Sequence, residues 1–422
     1  MSAHAGMIRT LPVGVFRALD PRRLALGILA ADSGRFSAPS ASKAGGGGAT
    51  AVEALAATLG EAVERYCMMV HDRTRIVRGS YRELAEHAVH PDLLRLHARG
   101  QADAAPHRLT YFDADTCCDW IWCWSLTHER ARLVPADLVY VGYRADASRP
   151  SIAVNASSGL AAGVTLEEAI LSGLYEVIER DAATISWLHR RVQRRIAIDD
   201  PALRAQVASD FHTDLPEVEL AFFDLTLDIP VPTVFSVMRR PTELGSTLVI
   251  AAATRLEPRR AVAKCLDEMG QSIPYFRYLA RRLGGWQPRA DFSDVTAFDF
   301  HCMLYLKRPE LAAPALAFCA EIEDEVPLGA LADLSTGTVR GDVERCLGAL
   351  SAAGWEAIVC DITAPDVAQA GFHVVRVLVP GLVPLHGDHN FPYLGVERLH
   401  EVPQRLGWGQ TAGLNPWPHP YP

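Results

Sequence analysis

Two copies of one short pattern, Glu61-Ala62-Val63-Glu64-Arg65 and Glu176-Val177-Ile178-Glu179-Arg180, carry the side chains best suited to chemistry in this chain. Residues three apart on a helix lie on one face, about a turn from each other, so each copy presents a carboxylate pair. Such pairs suit a hard cation such as magnesium, which is held by one or two carboxylates together with substrate phosphate oxygens. One copy alone reads equally well as the solvated face of an amphipathic helix. Repetition shifts the balance, because uncompensated like charges at this spacing cost roughly 0.2–0.5 kcal/mol each.

Further candidates lie on the same helices. At about 100° per residue, Glu168, Glu176 and Glu179 fall within an arc of roughly 80°, opposite Leu166, Ile170, Gly173, Leu174, Val177 and Ile178. Thr165 three residues before Glu168 is a capping-box signal, so Glu168 also reads as a capping partner and Arg180 as a surface charge. Lys264, Glu268 and Gln271 are spaced for one face of another helix, where Lys264 is either half of a surface ion pair or a phosphate contact. Neither GxxxxGK[ST] nor GxGxxG occurs, and the run Gly45 to Gly48 by itself says little about phosphate binding.

The elements that must position these groups alternate in type. Residues 32–48, rich in Ser, Ala and Gly, read as a flexible or ligand-adaptable loop. Helical spacing runs from Thr50 to about Cys67 and from Leu166 to Trp187; a third helix should start near Pro258 and stop before Pro274. Val218 to Asp224, Pro230 to Val237 and Thr247 to Ala252 read as strands, then Asp342 to Ala353 as a helix. Glu356 to Cys360 and His373 to Val379 read as strands again, which makes the class mixed α/β (α+β).

Composition excludes several functions. With 422 residues, 49% of them hydrophobic, the chain can bury a large core, and its formal charge of −9 leaves no basic footprint for nucleic acid. Nine scattered cysteines without a CxxC pair suit reduced thiols rather than a disulfide framework or a structural zinc. No signal-peptide core and no membrane-length apolar run is present, so the expected location is cytoplasmic, with no membrane partner. Lysine is confined to Lys43, Lys264 and Lys307, the remaining basic residues being arginine.

The segment Ser157-Ser158-Gly159-Leu160-Ala161-Ala162-Gly163-Val164-Thr165-Leu166-Glu167-Glu168-Ala169, continuing through Gly173-Leu174-Tyr175-Glu176-Val177-Ile178-Glu179-Arg180-Asp181-Ala182, resembles the signature of YcaO proteins. Gly60 to Tyr66, Lys264 to Gln271, Asp361-Ile362-Thr363, Val375-Arg376-Val377 and Pro380-Gly381-Leu382 extend the resemblance over residues 45–395. It implies a YcaO-type ATP-binding fold of several sheets packed by helices, preceded by a segment 1–44 and followed by a segment 396–422. Glu61, Glu64, Glu176 and Glu179 would then hold Mg2+ around an ATP triphosphate, with Glu168, Arg180, Lys264, Glu268 and Lys43 in the nucleotide pocket. Ala57, Val164 and Lys264 depart from residues usual in the family, and each polar group missing from the nucleotide pocket would weaken binding by about 1 kcal/mol.

The last residues, Pro416-Trp417-Pro418-His419-Pro420-Tyr421-Pro422, form a PxPxP tail like that of azoline-forming members, or else a free proline-rich end. A stiff tail loses little entropy on docking, so the Pro422 carboxylate and His419 are the candidate groups for proton transfer. Few backbone donors and little apolar area suggest that such a tail adds little to a core. The implied reaction closes a Cys, Ser or Thr of a precursor peptide onto the preceding amide carbonyl, with ATP turning the oxygen into a leaving phosphate. Expected partners are the precursor peptide, a separate E1-like or ThiF-like leader-binding protein, and a flavin dehydrogenase acting afterwards; a homodimer is compatible with the sequence. Two other readings stay open: thioamide formation with a TfuA-like partner, and a noncatalytic accessory subunit.

Overall fold

The computed structural model describes residues 8–10, 24–30, 43–143, 151–154, 157–409 and 413–421, with side chains from Ala44 onward. A three-stranded sheet comprises β1 (Ile8–Thr10), β2 (Leu24–Ala30) and β3 (Lys43–Gly48), and helix α1 (Ala51–Cys67) follows it. β4 (Ile76–Gly79), the hairpin β5 (Cys118–Ser125) and β6 (Arg130–Pro135), and β7 (Leu160–Gly163) lead into α2 (Leu166–His189). Next come β8 (Arg194–Ala197), α3 (Pro201–Phe211), β9 (Glu219–Asp224), β10 (Thr233–Thr242), β11 (Gly245–Thr254) and α4 (Pro258–Arg282). The chain continues through α5 (Phe298–Lys307), β12 (Glu325–Pro327), α6 (Val339–Ala352), β13 (Ile358–Asp361), β14 (His373–Leu378) and α7 (Arg398–Arg405).

Five strands pair in the order β11-β10-β9-β8-β12, and a six-stranded sheet runs β4-β5-β13-β14-β7 with β6 beside β5. Pairing is antiparallel throughout, except between β12 and β8. Each long helix fills a junction between two sheets. α1 packs on β2 and β3 and on β7; α2 packs on β7 and β14 and on β11; α4 packs on β10 and β11 and on β2 and β3. A helix covered on both flanks must be apolar nearly all round. In α2 most residues from Ala169 to His189 are buried, and the charged groups among them, Glu179 and Asp181, therefore need partners.

Two expectations change. Residues 43–48 are a strand rather than a loop, registered from Lys43 opposite Leu29 to Gly48 opposite Leu24. Glycine is required by closeness here: a Cβ on Gly47 would stand 2.3 Å from the Asp267 carbonyl of α4. Helix α4 also runs straight through Pro274 to Arg282 instead of stopping before it. Proline removes one helical hydrogen bond there, but Ile273, Phe276 and Leu279 on both sides of it are buried against the five-stranded sheet. The tail contradicts expectation as well: His419 is 1% and Tyr421 3% exposed, and Tyr421 belongs to the main core.

Candidate active site

The two glutamate pairs arrive on two strand–cap–helix units built alike. β3 leads into Thr50, whose hydroxyl accepts from Glu53 N while Glu53 accepts from Thr50 N. β7 leads into Thr165, with the same reciprocal bonds to Glu168. Glu61 and Glu176 follow their caps at the same distance along the helix, as do Glu64 and Glu179, and Arg65 and Arg180. The capping box sets where each helix starts, and hence the rotation at which its glutamates emerge.

Within each unit the wiring is also shared. Arg65 Nη2 lies 3.0 Å from Glu61, and Arg180 Nε 3.7 Å from Glu176, both four residues back. The second glutamate is held by a backbone N–H of a neighbouring strand, Ala162 N to Glu64 at 2.8 Å and Thr254 N to Glu179 at 3.3 Å. Gly45 N donates to Glu61 at 2.8 Å, and Arg180 also reaches Glu179 at 3.5 Å. From α4, Lys264 pairs with Glu268 at 3.2 Å.

These groups share one electrostatic neighbourhood. Burial, with Glu176 and Glu61 adding like charge, pushes the Glu64 carboxyl up to about 8. Glu179 is raised too, by burial and then by Glu268 and Glu176, against the pull of Arg180. The Lys264 ammonium is held charged chiefly by Glu268, with Glu179 contributing. Among the described residues no three His, Cys, Asp or Glu side chains meet at metal-ligating spacing. Glu64 feels the charges of Glu61 and Glu176, and Glu179 that of Glu176, but the four carboxylates do not close on a point.

Carboxylates on two helices, with burial first and neighbouring like charge second raising the proton affinity of Glu64 and Glu179, are a donor set a hard divalent cation compensates. Arg65, Arg180 and Lys264 alongside suit phosphate oxygens. The residues therefore fit a magnesium–nucleotide complex.

Other expected residues are placed differently. Glu168 commits Oε2 to the cap, accepting from Val164 N and Thr165 N, and Oε1 makes no hydrogen bond among the described residues. The backbone of Lys43 pairs in β3 while its side chain lies outside the described part, and Pro422 lies outside the described residues altogether. His419 does not face the glutamates. Its Nε2 donates to the His386 carbonyl at 2.7 Å and its ring stacks on His301, so it anchors the tail and is not placed as a base. Tyr421, two residues on, packs against Phe235 and His419, and burial first, with Arg180 opposing and Glu179 adding, raises the pKa of its phenol.

Sequence reasoning missed Arg376 and Tyr421 as members of the site. Arg376 is a buried guanidinium on β14 that burial pulls down to about 10 against the opposing charge of Glu176. An arginine between two valines in a strand was the available signal. A separate cleft of about 1180 Å3, lined by Arg194, Asp224, Thr233 and Arg345, contains none of the expected ligands.

The chain is 30% identical over 351 residues to an uncharacterized protein of Methanothermobacter thermautotrophicus, covering 80% of both. A protein from the tfuA 3' region of Rhizobium leguminosarum bv. trifolii is 30% identical over 148 residues, 33% of this chain and 35% of that one. A heterocyclase solved in complex with substrate and cofactor superposes with a TM-score of 0.78 at 24% identity, over 100% of this chain and 56% of the other. The chain thus spans little more than half of that heterocyclase. The profile described as YcaO cyclodehydratase, ATP- and Mg2+-binding, matches residues 45–383, and the chain belongs to the YcaO family, whose cofactors are ATP and Mg2+.

Proposed function

We propose that the protein uses ATP to activate backbone amides of a ribosomally made precursor peptide and closes Cys, Ser or Thr side chains into azoline rings. The observation that supports this reading is the docked tail, with His419 and Tyr421 buried and the Tyr421 phenol within the electrostatic influence of Arg180 and Glu179. Glu61, Glu64, Glu176 and Glu179 would hold Mg2+, while Arg65, Arg180 and Lys264, with Glu168 through Oε1, would hold the nucleotide. When bound, ATP supplies the phosphoryl group that converts the amide oxygen into a leaving phosphate. The chain's own part is to neutralise and orient. Arg65 and Arg180 keep each glutamate pair in register, and Tyr421 with the tail closes the site against water.

The heterocyclase neighbour carries additional chain beyond the shared part. In our reading a separate E1-like protein supplies leader binding here, and a flavin dehydrogenase acts on the rings afterwards. Thioamide formation is the second reading, favoured by the relative from a tfuA 3' region. Incubating the protein with its partner, a co-encoded precursor and MgATP separates the two by mass. Loss of one water per modified residue, with ADP and phosphate released, supports ring closure. Exchange of oxygen for sulfur only in the presence of a sulfide source refutes it.

A further inference from the structure

The tail from Asn415 to Tyr421 is seated by an unusual division of hydrogen-bonding labour. Pro416, Pro418 and Pro420 have no N–H, so every other residue can offer only a carbonyl. The receptor accordingly supplies side-chain donors to three consecutive carbonyls. Trp187 Nε1 on α2 donates to Trp417 O at 3.1 Å, Tyr305 OH on α5 to Pro418 O at 2.6 Å, and His301 Nδ1 to His419 O at 2.8 Å. His301 and Tyr305 are one turn apart on α5, so they present their donors along one face. Asn415 begins the seat, its N–H donating to Leu188 O at 2.7 Å.

Of the three donors, His301 is the one whose ring also stacks on a ring of the tail, while Trp187 O accepts from Asn415 Nδ2 at 3.1 Å. The His301 ring lies against that of His419 with centroids 4.0 Å apart and planes 15° from parallel. His301 is 0% and His419 1% exposed. His419 donates from Nε2 to His386 O, and its Nδ1 is buried with no hydrogen-bond partner among the described residues, as is Nδ1 of His386. A proton added to either nitrogen would be a buried donor without an acceptor, on a ring facing another imidazole. The charged surroundings offer little relief. His386 and His389 approach from the loop after β14, His97 approaches His386, and the carboxylate of Asp388 is taken by Arg108 at 2.9 Å. Phe298 and Tyr421 cover the remaining faces of the His419 ring.

We propose that His301 is the positioning residue for the C-terminal tail, an imidazole that donates to the His419 carbonyl and stacks on its ring so that Tyr421 is seated in the main core against Phe235. This rests on the ring-forming reading only for the activity it predicts, since the seat itself is a property of the chain. Docking then depends on pH in a defined direction. A released His419 regains an ordinary histidine pKa of about 6.5, whereas burial holds it well below that value in the seat. The released tail binds more protons, so docking is complete above about 6.5 and weakens as pH falls.

Full-length His301→Ala and His301→Asn proteins test this, the Asn amide retaining a donor near the position of Nδ1 without a titrating ring. Hydrogen–deuterium exchange of the peptide covering residues 413–421 reads the tail, and that of α2 serves as the internal control. The expected result for His301→Ala is about tenfold faster exchange in the tail with α2 unchanged, the size of one hydrogen bond removed. In ring formation with partner and precursor, kcat should fall by a similar factor while the KM for ATP stays put. His301→Asn should restore most of both. Wild-type tail exchange, corrected for intrinsic rates, should accelerate below about pH 6.5, and that of His301→Asn less so.

Unchanged tail protection in His301→Ala overturns the proposal whatever the product of the enzyme. Loss of protection spreading into α2, unrescued by His301→Asn, also overturns it, because the residue would then hold the core and not the tail. A thioamide product combined with the expected exchange pattern defeats the proposed reaction and leaves the seat standing.

Discussion

The two strand–cap–helix units share cap, spacing and wiring, yet they do not sit in equivalent surroundings. Gly48 precedes the first cap and Gly163 the second, and a Cβ on either would crowd the same place, Ala54 N at 2.7 Å and Ala169 N at 2.6 Å. The arginine pairs with the first glutamate in each unit, and a foreign strand N–H holds the second. Exposure matches at the first glutamate and differs at the second: Glu61 and Glu176 are 29% and 25% accessible, whereas Glu179 is buried at 8% and Glu64 only half-buried. One motif therefore supplies a part-exposed first carboxylate in both units and a second carboxylate that is more deeply buried in the second unit than in the first. The difference teaches that in this site the work of a glutamate is set by what covers it, since charge interactions strengthen as water is excluded.

The largest effect should come from Glu179→Gln. A neutral amide keeps the shape and still accepts from Thr254 N, but it lacks the charge that a magnesium carboxylate supplies. Peptide-dependent ADP release should fall by about 100-fold or more, roughly 2.7 kcal/mol at 1.36 kcal/mol per decade. The denaturation midpoint should hold or rise, because a buried like charge is removed from beside Glu176 and Glu268. Wild-type ADP release in this variant would remove the second unit from the site.

Glu61→Gln should be milder, near tenfold and expressed mainly as a higher magnesium requirement. Solvent already screens this carboxylate, and Arg65 shares its charge at 3.0 Å. A magnesium titration of ADP release at saturating ATP reads the difference. Equal losses in Glu61→Gln and Glu179→Gln would break the comparison, since burial would then have no bearing on the role.

Much of this was legible because local rules were obeyed. The Thr165–Glu168 box, the apolar stripe of α2 and the repeated ExxER all follow from helical geometry, which sequence spacing reports directly. Residues 43–48 misled because a glycine run carries no side-chain alternation; its strand conformation comes from β2 and from the closeness of α1 and α4. Pro274 misled for the opposite reason, its local cost being offset by burial that only the tertiary fold supplies. Arg376 and Tyr421 are far from the glutamates in sequence, and no spacing rule connects a strand arginine or a chain end to a helix face. The tail was legible as stiff and suited to docking, but its share in the core was missed, because its donors are borrowed from Trp187, Tyr305 and His301.

The smallest expected effect tests whether the units are equivalent as folding elements while unequal as parts of the site. Thr50→Ala and Thr165→Ala each remove one hydroxyl that accepts from the N3 amide, at 3.2 Å in both cases. Each leaves the reciprocal bond from the cap N–H to Glu53 or Glu168 in place, because that bond uses backbone. Both caps are solvent-exposed, so water replaces the hydroxyl and no buried donor is orphaned. Loss of an N-cap of this kind costs about 1 kcal/mol, and fraying is confined to the first turn. Glu61 and Glu176 lie well beyond that turn, so ADP release at saturating ATP should be unaffected in either variant, while Glu168, which lies in it, would register Thr165→Ala only as a higher KM for ATP. Denaturant midpoints of the two variants should therefore drop by the same amount, within a few tenths of a kcal/mol. A drop confined to Thr165→Ala would mean that the fold depends on one cap and tolerates the other. The asymmetry between the units would then begin in their folding, and burial of the second glutamate could no longer be its whole cause.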